Sequence, residues 1–136
     1  RIGDHAINIA NRAQKLAEDD THFSQDALKE ISIMESLCNN ILDELIILDY
    51  DEFKNIVDKV DVMEDNIDKT QHQFTVNQLI RLKEKKCSTE NSIIYTKILT
   101  DFERIGDHGL NIAESLYHIR KIMKQMKMIK PEIEEA

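Results

Sequence analysis

The sequence is poor in whatever breaks a helix. Its 136 residues include three glycines and one proline, too few for the turns that an all-β sandwich needs roughly every 8–12 residues. Tryptophan is absent and aromatic residues make up only 5%, so the core has to be built from Ile and Leu, which suit helix–helix packing. Two cysteines do not make a disulfide framework. Cys38 falls in an apolar helical run and Cys87 in a loop, and both read as free thiols in a reducing cytoplasm. No stretch approaches the roughly 18 uncharged apolar residues of a membrane span, and no signal peptide is visible. A basic surface is also lacking. Acids outnumber bases 26 to 18, for a net charge of −8. This argues against a nucleic-acid binder, which needs cations for the phosphate backbone, and against broad docking on anionic lipid. Such a surface can hold metal cations or can simply be solvated.

What is present is helical periodicity and an internal repeat. Arg1-Ile2-Gly3-Asp4-His5-Ala6-Ile7-Asn8-Ile9-Ala10 returns as Arg104-Ile105-Gly106-Asp107-His108-Gly109-Leu110-Asn111-Ile112-Ala113, identical at eight of ten positions and offset by 103 residues. Shared helix composition does not produce such a match in register. Four helices follow from the pattern. The first runs to about Ala17. The second starts near Ser24, a plausible N-cap, and ends near Leu48, with Asp49-Tyr50-Asp51 as a turn and Asp51 as the next cap. The third carries Phe53, Val57, Val60, Ile67 and Phe74 and ends near Glu84. The fourth starts at Ser88 or Thr89 and runs to about Met128, where Pro131 is expected to stop it. Short loops predict antiparallel neighbours in an all-α bundle. Residues 24–128 then form a complete three-helix repeat. Residues 1–20 match the fourth helix and read as the last helix of a preceding repeat, packed back on the other three. Arg1 opens inside a helical pattern without a cap, so the chain reads as a fragment.

The fourth helix also carries the candidate chemistry. Ile94, Ile98, Ile105, Ile112, Leu116 and Ile119 are expected to share one apolar stripe. Glu103 and Asp107, four apart, share a face that points away from that stripe, towards solvent or a second element. Gly106 lies between them, an odd choice for a helix interior. Asp4 and Gly3 repeat the arrangement, and the third helix supplies Glu64 and Asp68 at the same spacing, amid Asp58, Asp61 and Asp65. Carboxylates one turn apart can bridge hard or borderline metal ions through oxygen; equally, such pairs are tolerated on solvated helices. His5 and His108 read as hydrogen-bonded structural histidines at the edge of the stripe, and His72 as an exposed one. Met123, Met126 and Met128 read as gap-filling packing. A di-iron oxidase needs Glu-x-x-His on two helices, but Glu103 and His108 are five apart. Serine-elbow, phosphate-loop and zinc patterns are absent, so no enzyme is expected. A plain coiled-coil scaffold would not explain the repeated Arg-Ile-Gly-Asp-His.

Glu103-Arg104-Ile105-Gly106-Asp107-His108 resembles the E(D)xxxD motif of the PhoU family, and Glu64-x-x-Ile67-Asp68 resembles the second copy on the middle helix of each repeat. Cys87-Ser88-Thr89 followed by Phe102 to His108 looks like the carboxy-terminal PhoU-like region of bacterial sodium/phosphate cotransporters. The resemblance implies two three-helix repeats, a regulatory role in phosphate uptake, and acidic motifs that bind iron or another divalent or trivalent metal. Asp4, Glu64, Asp68, Glu103 and Asp107 match those motifs. It also implies a place on the cytoplasmic side of the cell membrane, beside the membrane-embedded transport core of the same polypeptide, with no membrane insertion by this segment and with self-association left open. The alternative is a free-standing regulator that meets an ABC phosphate transporter and a sensor kinase.

Overall fold

A computed structural model describes the backbone of residues 1–46 and 53–135, and the side chains of residues 1–46 and 55–126. Among the described residues there are four helices and no strand: α1 (Ile2–Glu18), α2 (Gln25–Ile46), α3 (Phe53–Lys83) and α4 (Thr89–Glu135). The helix boundaries have local causes. Ser24 Oγ accepts the Ala27 N–H at 3.2 Å, and Ser88 Oγ accepts the Asn91 N–H at 3.1 Å, so each serine satisfies a free donor at a helix start. α1 and α3 end without glycine. Asp20 and Lys85 take the left-handed conformation, with φ of 51° and 58°. The Thr21 N–H then reaches Leu16 O at 2.9 Å and the Lys86 N–H reaches Arg81 O at 2.8 Å, closing the last turns in Schellman fashion. The expected turn at Asp49-Tyr50-Asp51, and the end of α2 near Leu48, lie outside the described residues.

α2, α3 and α4 form one unit, with α3 antiparallel to both of its neighbours. Its core takes Met34, Cys38 and Ile41 from α2, Ile56, Val60 and Ile67 from α3, and Tyr95, Leu99, Phe102 and Ala113 from α4. One end is fastened by a polar network. Glu30 accepts hydrogen bonds from Arg81 at 2.5 Å, Tyr95 at 2.6 Å and Asn77 at 2.6 Å. Burial alone would raise the Glu30 pKa, but the hydrogen bonds from Arg81, Tyr95 and Asn77 outweigh it and hold the carboxyl below its ordinary value. Losing one partner would strand a buried charge.

Among the described residues α1 joins this unit through α4, not through all three helices as the sequence led us to expect. The two run antiparallel. His5 Nδ1 lies 2.8 Å from Asp101, Arg12 pairs with the same buried carboxylate, and the rings of His5 and His108 stack at 5.4 Å. The repeated segments therefore meet each other, histidine against histidine.

Three expectations about α4 need correction. First, the apolar stripe is wrongly phased towards its end: Ile98 and Ile105 are buried, but Ile112 and Ile119 are 40% and 53% exposed. A strict seven-residue spacing drifts by about 20° per heptad on a straight helix, and the core face instead follows Phe102, Gly106, Gly109 and Ala113. Second, Pro131 does not stop the helix, which runs on to Glu135. A proline removes one hydrogen bond and strains the turn before it, and a 47-residue helix absorbs that loss locally. Third, Met126 is 63% exposed and does not fill a gap in the core formed by the described residues; Met123 is 39% exposed. Met128 lies beyond the described side chains.

Candidate metal centre

The antiparallel packing of α3 on α4 decides where the acids go. Each helix contributes a carboxylate pair one turn apart, and the opposed directions set Glu64 against Asp107 and Asp68 towards Glu103. One oxygen from each of Glu64, Asp68 and Asp107 can be chosen so that all three lie within 4.8 Å of one another. Glycines let α4 approach both neighbours closely, Gly106 at the contact with α3 and Gly109 at the contact with α2. A β-carbon on Gly106 would stand 3.1 Å from Ile67 Cδ1, and one on Gly109 only 2.5 Å from Ile41 Cγ2. Gly106 thus makes room for a core side chain of α3, between the two acids that flank it. It does not open the backbone to a ligand.

The electrostatics are those of crowded like charges. Burial, then hydrogen bonding and repulsion from Asp68 and Asp107, push the Glu64 carboxyl up to about 8. Burial, then the charge of Asp107 and Asp68, push Glu103 up to about 7, against a small opposing effect of Arg104. Oδ1 of Asp68 is buried without a hydrogen-bond partner. A buried acceptor left unsatisfied is unfavourable by roughly 1–3 kcal/mol. A proton shared across the group relieves part of the repulsion, and a cation would relieve more. The donor set is all oxygen, which fits hard ions such as magnesium, calcium, manganese or iron.

The structure brings together Glu64, Asp68 and Asp107, with Glu103 close enough to feel the charges of Asp107 and Asp68. Asp4 does not join: it is exposed on α1, which among the described residues packs on α4 and not on α3. Asp58, Asp61 and Asp65 are exposed, and Asp65 pairs with Lys69 at 2.7 Å. His72 is exposed as expected, and His5 is the hydrogen-bonded histidine that its place beside the stripe predicted. Two structural acids escaped the sequence reading, Glu30 and Asp101. The signal was available for Glu30, which falls between Ala27 and Met34 at core-facing spacing; an acid at such a position needs partners.

A four-helix, all-α fold with facing Glu/Asp pairs on its two longest helices is the setting in which the chain's relatives can be judged. Residues 31–116 match the PhoU domain family, and the chain belongs to that family. It is 28% identical, over 127 residues, to the phosphate-specific transport system accessory protein PhoU homolog 1 of Thermotoga maritima. The alignment covers 92% of this chain and 54% of that protein, so the chain spans about half the length of its curated relative. No solved structure matches it significantly.

Proposed function

We propose that this chain is a regulatory module of phosphate uptake whose carboxylate cluster responds to a metal cation. The observation that carries this reading is the convergence of Glu64, Asp68 and Asp107, with Glu103 beside them, at a helix contact where like charges oppose packing. Family membership supports the regulatory role, and the name of the Thermotoga protein, a phosphate-specific transport system accessory protein, supports phosphate as the solute concerned. Glu64, Asp68, Glu103 and Asp107 would hold the ion; Asp4 would not contribute to it. The ion would supply positive charge between α3 and α4 and so set how firmly those helices pack.

Two settings for the module are compatible with this role. The Cys87-Ser88-Thr89 and Phe102-to-His108 segments support the tail of a sodium/phosphate cotransporter, while the Thermotoga relative supports a free-standing regulator at least as well. The gene upstream of the Arg1 codon discriminates between them, because a series of apolar membrane spans there belongs to a cotransporter only.

Manganese titration is the direct test of the cluster. The melting temperature should rise with manganese, and the rise should vanish in Glu64→Gln/Asp107→Asn, which keeps shape and removes charge. At a hundredfold excess over Kd the stabilisation amounts to about 2.7 kcal/mol. The same double substitution placed in the chromosomal gene should alter how phosphate uptake falls when external phosphate is plentiful. Unchanged manganese stabilisation together with unchanged uptake would contradict the proposal.

A further inference from the structure

At the end of the bundle where α3 finishes and α4 begins, a groove of about 480 Å³ runs along α4 between α1 and α3. Leu79 and Leu82 of α3 form one wall, Arg12 of α1 the other, and Ile93, Thr96 and Thr100 of α4 the floor. Leu79 and Ile93 are 52% and 50% exposed, so half of each stands outside the core. The segments outside the described residues do not reach them. Residues 47–52 join α2 to α3 at the opposite end of the bundle, and α3 alone puts about 39 Å between Phe53 and Leu79 at 1.5 Å per residue. Residues beyond Met126 are as far from Thr100 along the continuous helix α4.

The polar groups of the groove are already spent. Thr96 Oγ1 donates to Ser92 O at 2.8 Å, and Thr100 Oγ1 donates to Thr96 O at 3.0 Å. Ser92 Oγ accepts a hydrogen bond from Gln78 at 3.1 Å. Asp101, the one carboxylate in the lining, is held by His5 and Arg12. A small polar ligand finds few partners there, and a groove open along its length would leave a small molecule largely in water. What remains is apolar surface with cations at its edge. Lys97 lies in the lining and Lys83 stands one turn beyond Leu79, both exposed and without an ion pair among the described residues. The neighbouring acid Glu84 pairs with Lys86 instead.

Shape and charge together choose the occupant. A groove between two helices takes a third helix through apolar side chains spaced three and four apart. The stretch from Ile93 to Thr100 matches about two turns of such a helix. Unpaired lysines at the edge favour carboxylates beside its apolar stripe. A second copy seated about a twofold axis would bring Lys83 and Lys97 towards their own counterparts, and an anionic bilayer would meet a chain of net charge −8. We propose that this groove binds an amphipathic helix of a partner protein, apolar on one side and flanked by Asp and Glu. Leu79, Leu82 and Ile93 receive its apolar side chains, and Lys83 and Lys97 pair with its carboxylates. The groove lies about 16 Å along α3 from Asp68, so this binding is separate from the carboxylate cluster and does not depend on it.

The test uses the whole chain and a displayed library of peptides of about 18 residues, long enough to hold a helix once bound. Each peptide carries Leu on one face, and its flanking positions vary among Glu, Gln and Lys. The parent should select peptides with acidic flanks. Leu79→Ser/Ile93→Ser should weaken binding of a selected peptide roughly thirtyfold, as the loss of two central apolar contacts implies, with an unchanged circular dichroism spectrum. Lys83→Glu/Lys97→Glu should reverse the selection to peptides with lysine flanks, a change that loss of structure cannot produce. Selection of no peptide, or selection without preference for flanking charge, overturns the proposal. So does a selected peptide that binds Leu79→Ser/Ile93→Ser as tightly as the parent. A dimer that Leu79→Ser/Ile93→Ser dissociates, in a protein that selects no peptide, would assign the groove to a second copy. Sedimentation with phosphatidylglycerol vesicles that Lys83→Glu/Lys97→Glu abolishes, again without peptide selection, would assign it to lipid.

Discussion

The two copies of the repeated decapeptide are nearly identical and live in different surroundings. In α4, Ile105 is buried, Gly106 and Gly109 admit Ile67 and Ile41, and Asp107 faces the acids of α3. In α1, Ile2 is half-buried, Gly3 has nothing within 4 Å of where its β-carbon would be, and Asp4 is exposed. Among the described residues, the same motif thus makes a candidate site in one place and an open helix face in the other. What differs is the opposing helix. A Glu/Asp pair on α3, antiparallel and in register, turns one aspartate into a member of a cluster, and α1 has no such neighbour among the described residues.

Matched substitutions break or sharpen this comparison. The largest effect is expected from Ile105→Asp, which puts an unpaired charge in the core and should cost several kcal/mol, enough to unfold the protein; Ile2→Asp should cost about 1 kcal/mol and leave it folded. Urea denaturation followed by circular dichroism separates the two outcomes, and equal losses would mean that α1 is as deeply built in as α4. Next come the glycines. Gly109→Ala drives a methyl group against buried Ile41 and should destabilise by roughly 1–2 kcal/mol after the gain in helix propensity. Gly3→Ala meets open space and should stabilise by up to about 0.5 kcal/mol, since it lies near a helix end. A destabilising Gly3→Ala would reveal a close contact on α1.

A third, smaller effect is a dependence on pH in the metal-free protein. Glu64 and Glu103 have folded pKa values raised to about 8 and about 7 from 4.5. Below about pH 4.5 both states are protonated and the two groups contribute nothing. Between there and about pH 8 the unfolded chain gives up its protons first, so stability falls as pH rises. Glu30, whose pKa is lowered, is ionised in both states above pH 6 and does not enter this window. With a chelator present, the parent should lose roughly 1 kcal/mol between about pH 6 and pH 8.5, allowing for solvent screening. Glu64→Gln should flatten that slope, and an identical slope in parent and variant would show that the cluster does not carry it.

Much of this was legible in the sequence, and the failures have common causes. Four helices, the serine caps and the free thiols follow from local patterns, and each acid pair can be read from its spacing. Whether Glu64 meets Asp107 cannot be read from either helix by itself, since it depends on the register between them. The phase of α4 was misjudged for a related reason: its contact face is made partly of glycine and alanine, which a search for large apolar residues passes over. The same search put Ile112 on the core face, where Ala113 stands instead, and gave Ile119 and Met126 core places although they are 53% and 63% exposed. Asp101 looked unremarkable because its partners, His5 and Arg12, lie nearly a hundred residues away.

The central claim is that an opposing acid pair, and not the repeated motif by itself, makes the site. Manganese-induced thermal stabilisation of Asp107→Asn and Asp4→Asn, compared with the parent, tests it most directly. Asp4→Asn should keep the full rise in melting temperature and Asp107→Asn should lose most of it. An equal loss in both, or a loss in Asp4→Asn alone, would contradict the account.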